Sequence, residues 1–141
     1  MASLEVVRGE LGDAHKDTRL NLQSVLEGGS LTAEQRWGVA VACAFAARNE
    51  RLKEALLHEA KLALADKAEP VIEDARAAAS LMAMNNVYYR FRSMVEKESY
   101  STKRPGLRMN RLVQVLTSKV DFELVCLAVS AINGCATCVK S

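Results

Sequence analysis

Two cysteines three residues apart, Cys135 and Cys138, are the residues whose type and spacing best suit chemistry. They follow an apolar run that ends at Asn133-Gly134, and glycine often stops a helix because it adopts positive φ without steric cost. We therefore expect Cys135 at the start of a new helix, where unpaired N–H groups and the helix dipole favour a thiolate. The i, i+3 spacing puts both sulfur atoms on one face, close enough for a disulfide. The pair predicts a dithiol redox site.

A zinc site is the main alternative for a Cys-x-x-Cys pair, but this sequence does not favour it. Structural zinc usually takes four ligands, from two such pairs or from one pair and a spaced histidine pair. This chain has one pair and two isolated histidines, His15 and His58. No metal and no bound cofactor are therefore expected. Cys43 and Cys126 lie in runs rich in alanine and valine, and we expect them to be small buried hydrophobic residues.

Composition indicates closely packed helices. Half of the 141 residues are apolar and only 5% are aromatic, and alanine, leucine and valine dominate the apolar set. This length suits one domain over residues 1–141. The net charge of +2 is small and basic residues are scattered among acidic ones, so no nucleic-acid partner is expected. A local basic cluster (Lys103, Arg104, Arg108 and Arg111) is interpreted as solvated.

No feature of the sequence predicts export or membrane insertion. The segment from Met1 to Glu5 lacks a basic stretch followed by an apolar run. The longest low-polarity segments, Trp37 to Ala47 and Leu124 to Ile132, are too short to cross a bilayer. We therefore expect a cytoplasmic protein, in which a Cys-x-x-Cys pair is more often catalytic or metal-binding than a structural disulfide.

Caps and periodicity predict helices along the first half of the chain. One or two amphipathic helices precede Gly28-Gly29. A capping box formed by Thr32 and Gln35 predicts a helix over 33–48, and Asn49 is expected to cap another over 50–65. Pro70 suits the first turn of a fourth helix that reaches Phe91. We expect Asn85 and Asn86 to bend or interrupt that helix.

The second half is predicted to contain a loop and two further helices before the dithiol. The loop spans 99–108, and a short helix covers 110–116. Asp121 is expected to cap a strong helix from Phe122 to Ile132. No run shows strand alternation flanked by turns, so the fold class is all-α and a thioredoxin fold is excluded.

Two of these helices suggest a degenerate internal repeat. Segments 35–42 and 123–130 are both capped and rich in small residues. In the first copy, Ala47 and Glu50 occupy the positions that would match the two cysteines. Only the second copy therefore carries the redox pair.

Three segments, in order, resemble one protein family. They are Leu31 to Ala40, Met82 to Phe91, and the run from Glu123 through Leu-Val-Cys-Leu-Ala-Val-Ser-Ala-Ile-Asn-Gly to the Cys-Ala-Thr-Cys of 135–138. On these residues the chain resembles the AhpD-type alkylhydroperoxidases of the carboxymuconolactone-decarboxylase-like superfamily. The resemblance covers nearly the whole chain.

This resemblance implies an antioxidant enzyme that reduces organic hydroperoxides. It further implies that electrons come from the dihydrolipoyl group of a lipoyl-carrying acyltransferase and are passed to an AhpC-type peroxiredoxin. Cys138 matches the cysteine that attacks peroxide, Cys135 matches the partner that closes the disulfide, and Glu123 matches the acidic end of a proton relay. A plainer reading of Glu123 is a first-turn acid that stabilises its helix dipole. The alternative function is a non-enzymatic redox sensor or interaction subunit of the same fold.

Two departures from the family pattern shape our expectations. Thr137 stands where some members have histidine, and the family's other histidine would follow Ser141. We therefore expect a chain truncated at its C-terminal end and weak in catalysis, because Glu123 should not reach the Cys138 sulfur by itself. Apolar surface on the helix over 39–47 predicts a homo-oligomer, and the family suggests a trimer.

Overall fold

The computed structural model describes residues 3–141, and they form helices and loops with no strand among them. The all-α class is therefore confirmed. The α-helices are α1 Leu4–Gly9, α2 Lys16–Glu27, α3 Ala33–Ala47, α4 Glu50–Leu64, α5 Ala68–Val95, α6 Glu98–Ser101, α7 Lys119–Ile132 and α8 Ala136–Lys140. Three 3₁₀ turns cover Asp13–His15, Ala65–Lys67 and Asn110–Val113. Met1 and Ala2, part of the segment from which no export signal is predicted, lie outside the described residues.

The predicted caps of α3 and α4 are confirmed. The Thr32 N–H donates to the side chain of Gln35 at 3.1 Å, and the Gln35 N–H donates to the Thr32 hydroxyl at 3.2 Å, which is the capping box. Asn49 accepts a hydrogen bond from the Leu52 N–H at 3.0 Å at the start of α4. These helices therefore begin where the local sequence signals place them.

The predicted start of α7 is wrong by three residues. Ser118 is the cap, because its hydroxyl accepts a hydrogen bond from the Asp121 N–H at 3.0 Å, and the helix begins at Lys119. The Asp121 carboxylate instead accepts a hydrogen bond from Gln35 of α3 at 2.7 Å. Both residue types cap helices well. The tertiary partner of Asp121 decides between them.

The predicted interruption of α5 is also wrong. This helix runs for 28 residues through Asn85 and Asn86. Asparagine weakens helices because its amide competes for nearby backbone groups. The Asn86 amide is instead bonded to side chains of other segments, as described below, so the backbone stays helical. The predicted bounds of the next two segments are also wrong. The loop predicted over 99–108 begins inside the short helix α6, and the helix predicted over 110–116 is the 3₁₀ turn Asn110–Val113.

The core lies where α3 packs against α5 and α7. Val41, Ile72 and Val129, one from each helix, are fully buried there. Gly38 permits the close approach, since a Cβ atom at that position would lie 3.3 Å from Val125 and 3.4 Å from Val71. A second, smaller cluster joins α1 and α2 to α3 and α4 (Leu4, Leu26, Ala44, Ala55 and Leu56).

The internal repeat and the single domain over residues 1–141 stay predictions. In the described part of the chain, no helix is long and apolar enough to cross a membrane.

A buried carboxylate fixes the segment that leads into α7. Asp74 of α5 is 2% exposed and accepts hydrogen bonds from the Arg111 guanidinium at 2.6 Å and the Leu116 N–H at 3.0 Å. Thr117 adds its N–H at 2.8 Å and its hydroxyl at 2.7 Å. Burial raises the pKa of Asp74, but the bonds from Thr117, Arg111 and Leu116 outweigh it and leave the pKa below its usual value. The expectation that the basic cluster is solvated is therefore wrong for Arg111, whose guanidinium binds the buried Asp74 carboxylate.

Candidate active site

The predicted helix break at Asn133-Gly134 is confirmed. Gly134 has φ of +66°, which glycine adopts without the penalty that other residues carry. Its N–H donates to the Ala131 carbonyl at 3.1 Å, and the Cys135 N–H donates to the Ser130 carbonyl at 3.1 Å. These two bonds form a Schellman motif, which satisfies the last carbonyl groups of α7. The chain then turns directly into α8.

Cys135 and Cys138 are joined by a disulfide across the first turn of α8, with Cα atoms 5.3 Å apart. The pairing predicted from their spacing is confirmed, and its reversibility stays a prediction. Cys135 is the N-cap of α8 and its sulfur accepts a hydrogen bond from the Cys138 N–H at 3.3 Å. Cys135 is fully buried, whereas Cys138 is partly exposed. A reagent from solvent therefore meets the Cys138 sulfur first.

Cys138 opens onto a cavity of about 630 Å³ between α5, α7 and the end of the chain. Its lining includes Glu123, Cys126, Ser130, Asn85 and Phe122. The Glu123 side chain is 66% exposed and lies 3.7 Å from the Lys119 ammonium group. None of the hydrogen bonds among the described residues joins Glu123 to Cys138. The structure thus places the predicted acid and the exposed sulfur at one cavity without direct contact, and the role of Glu123 stays a prediction.

The two remaining cysteines are free and half-buried, rather than buried as expected. Burial and, to a smaller extent, the charges of Glu123 and Asp74 raise the pKa of Cys126 to about 11. Burial also raises the pKa of Cys43. Cys126 lines the same cavity as Cys138 but is a neutral thiol near neutral pH, so it is a poor nucleophile there. Among residues 3–141, no three His, Cys, Asp or Glu side chains are grouped as a metal site.

A buried polar network, which no local pattern in the sequence predicts, lies under the dithiol turn. Asn86, which is 1% exposed, donates to the Ser130 hydroxyl at 3.0 Å and accepts from the Asn133 amide at 3.0 Å. The Arg90 guanidinium donates to the Asn133 carbonyl. Two adjacent asparagines in the middle of a long helix were the available signal, but their sequence alone indicates a break rather than a tertiary partner.

Fold and site together define the class of protein: an all-helical thiol–disulfide protein with its cysteine pair at a helix junction. No family model matches the sequence. The chain is, however, 60% identical over 141 residues to a protein of Anaeromyxobacter sp. (strain K) named alkyl hydroperoxide reductase AhpD, of which it covers 74%. It is 45% identical over 138 residues, 98% of this chain, to a protein of that name from Solibacter usitatus, of which it covers 76%. A Brucella canis protein of that name is 46% identical over 140 residues, 99% of this chain and 78% of its own length. The chain belongs to the AhpD family of alkyl hydroperoxide reductases.

Proposed function

We propose that this protein is a dithiol peroxidase that reduces organic hydroperoxides. The observation that carries the proposal is the asymmetry of the cysteine pair, in which a partly exposed Cys138 at a cavity is bonded to a fully buried Cys135. The relatives named alkyl hydroperoxide reductase support the substrate class. An exposed sulfur suits attack on a substrate, and a buried neighbour suits capture of the product before it oxidises further.

The proposed reaction has two steps at these sulfur atoms. The Cys138 thiolate attacks the terminal oxygen of the hydroperoxide, the O–O bond breaks, and the alkoxide leaves with a proton as an alcohol. Cys138 is then a sulfenic acid. The Cys135 thiol attacks that sulfur, the disulfide forms and water leaves, so the two electrons that reduce the peroxide come from the dithiol.

We propose that Glu123 is the acidic end of the proton relay that serves these steps. Its carboxylate and the Cys138 sulfur line one cavity, which supports the assignment. Because no hydrogen bond joins them, a proton needs an intermediate carrier such as water or another side chain. Because Glu123 does not contact the sulfur directly, Glu123→Gln should lower turnover by less than the about 10²–10⁴-fold that is usual for a positioned acid or base. Unchanged turnover would leave Glu123 as the exposed partner of Lys119, because α7 begins at Lys119 and Glu123 lies beyond its first turn.

The electron donor and acceptor follow from the family resemblance. We propose that a dihydrolipoyl group on an acyltransferase reduces the Cys135–Cys138 disulfide by thiol–disulfide exchange. An AhpC-type peroxiredoxin is the proposed recipient of electrons from the reduced pair. The exposed position of Cys138 supports both exchanges, because each needs a sulfur atom that a partner can reach.

We also propose a homo-oligomer, with three subunits suggested by the family. The apolar surface predicted on the helix over 39–47 is wrong, because that segment carries no exposed large apolar side chain. Support comes instead from large apolar side chains on two other helices, since exposed apolar surface that forms a patch marks an interaction site. On α5, Val87, Phe91 and Met94 are exposed, and on α7, Val120 and Ile132 are exposed.

Coupled turnover tests the proposed function. Dihydrolipoamide is the donor, cumene hydroperoxide is the substrate, and alcohol formation is the readout. Cys138→Ser and Cys135→Ser should each abolish turnover, whereas Cys43→Ser, on α3, should retain it. Disulfide formation by the unaltered chain without turnover would instead favour a redox sensor of the same fold.

A further inference from the structure

We propose that Asn86 is a positioning residue that holds the Cys135–Cys138 turn in the geometry of the disulfide and thereby sets its reduction potential. The proposal concerns the site assigned above and rests on that assignment. Asn86 belongs to α5 and is not one of the residues that line the Cys138 cavity. Its hydrogen bonds reach the cysteine pair through the end of α7.

The burial of Asn86 needs an explanation, because an amide side chain loses water when it enters a core. The side chain is 1% exposed within a 28-residue helix. Asparagine also favours helices less than leucine or alanine does. A buried amide is tolerated when its donors and acceptors are bonded. Asn86 meets this condition with a bond from its nitrogen to Ser130 and a bond to its oxygen from Asn133, both at 3.0 Å.

These two partners are the residues that shape the end of α7. Ser130 is 1% exposed, and its carbonyl accepts the hydrogen bond from the Cys135 N–H at 3.1 Å. Asn133 is the C-cap residue, directly before Gly134. Arg90, one turn beyond Asn86 on α5, donates to the Asn133 carbonyl. The α5 helix thus holds two residues at the end of α7, Ser130 and Asn133, and one hydrogen bond links Ser130 to the Cys135 backbone.

These hydrogen bonds from α5 to the end of α7 should favour the disulfide over the dithiol. Closing the S–S bond requires the two sulfur atoms to meet, and a turn that is already held in place loses little conformational freedom when they do. Without these hydrogen bonds, the turn in the reduced protein gains conformational entropy, which is lost again when the disulfide forms. The disulfide then becomes easier to reduce, so its reduction potential rises.

Equilibration with dithiothreitol measures this effect. In that exchange dithiothreitol is oxidised to its cyclic disulfide while the protein disulfide takes two electrons and two protons to give two thiols. Asn86→Leu keeps the same number and branching of side-chain heavy atoms and removes both amide hydrogen bonds. We expect the equilibrium constant for forming the protein disulfide to fall about tenfold, which corresponds to a rise of about 30 mV in reduction potential. Mass-tagging of free thiols at each ratio of reduced to oxidised dithiothreitol gives the constant.

Two further variants separate positioning from general loss of stability. Leu56→Ala truncates a buried residue of the second core cluster, which contains no residue of α7 or α8, and it should leave the potential unchanged. Ser130→Ala removes only one partner of Asn86 and should shift the constant in the same direction by a smaller factor. If Asn86→Leu does not fold, Ser130→Ala becomes the variant that decides the test. The double variant should shift the constant no further than Asn86→Leu alone, because the shared bond is already lost.

An unchanged constant in folded Asn86→Leu, or an equal shift in Leu56→Ala, would overturn the proposal. This readout needs no peroxide and no partner protein. A chain without peroxidase activity could still show the expected shift, so failure of the proposed function and failure of the positioning role give different results.

Discussion

Removal of the Asp74 carboxylate should destabilise the protein strongly near neutral pH. Asp74→Ala leaves the Arg111 guanidinium, the Thr117 N–H and the Thr117 hydroxyl without the acceptor that all three contact at 2.6–2.8 Å. Loss of one partner from a buried ion pair costs about 3–5 kcal/mol. The separate bonds would sum to more than this, but water can enter beside the partly exposed Arg111 and replace some of them. We therefore expect a loss of about 3–5 kcal/mol in the free energy of unfolding.

The same carboxylate should make stability depend on pH in the acid range. Its pKa is lower in the folded chain than the value of about 3.9 expected in the unfolded chain. The unfolded state therefore binds the proton more readily, and the stabilisation is complete above that value. As pH falls from about 4 through the folded pKa, Asp74 becomes protonated and its contribution is lost. The difference between the unaltered chain and Asp74→Ala should shrink over that interval.

Urea unfolding followed by circular dichroism, at pH values from about 7 down to 3, measures both effects. Glu73→Ala is a matched control, because Glu73 is the adjacent residue with the same charge but forms only an exposed pair with Arg76. Its removal should change stability by no more than about 0.5 kcal/mol. A loss below about 1 kcal/mol for Asp74→Ala, or an equal loss in the control, would refute the argument from burial.

Three other predictions concern the turn, the third thiol of the cavity and assembly. Gly134→Ala should lower the free energy of unfolding in urea by about 1–2 kcal/mol because residue 134 has a positive φ. Gly9 is the control, because a Cβ atom there also meets open space but its φ is not positive, and Gly9→Ala should cost less. Equal costs for the two variants would contradict the role of φ. Iodoacetamide labelling of Cys126 in the oxidised protein should speed up about tenfold per pH unit through about pH 9.5, and a plateau near the ordinary cysteine value of about 8.5 would contradict the raised pKa. Sedimentation at micromolar concentration should show an oligomer that Met94→Lys weakens, because Met94 is 75% exposed on α5; a monomer at every concentration would argue against assembly.

Local sequence signals were sufficient for most of the fold. The capping box at Thr32, the cap at Asn49 and the break at Asn133-Gly134 each depend on residues within one or two turns of each other. Short-range hydrogen bonds and the conformational freedom of glycine decide such features, so a reader of the sequence can find them. The redox pair is local in the same sense, since its cysteines are three positions apart in the sequence and lie on one helical turn.

Contacts between residues that are distant in the sequence join those local elements into a site. Asn86 meets Ser130 across 44 residues, and Asp74 meets Arg111 across 37, so no local pattern predicts either contact. The first contact keeps α5 continuous where the sequence indicates a break, and the second takes Arg111 out of the solvated cluster. Packing also buries Cys135 and leaves Cys138 at the cavity, although both are cysteines in one short motif. The two cysteines of the motif supply the atoms that can react. Helices that are distant along the chain set which of these atoms a substrate can reach, because burial depends on neighbours that lie far away in the sequence.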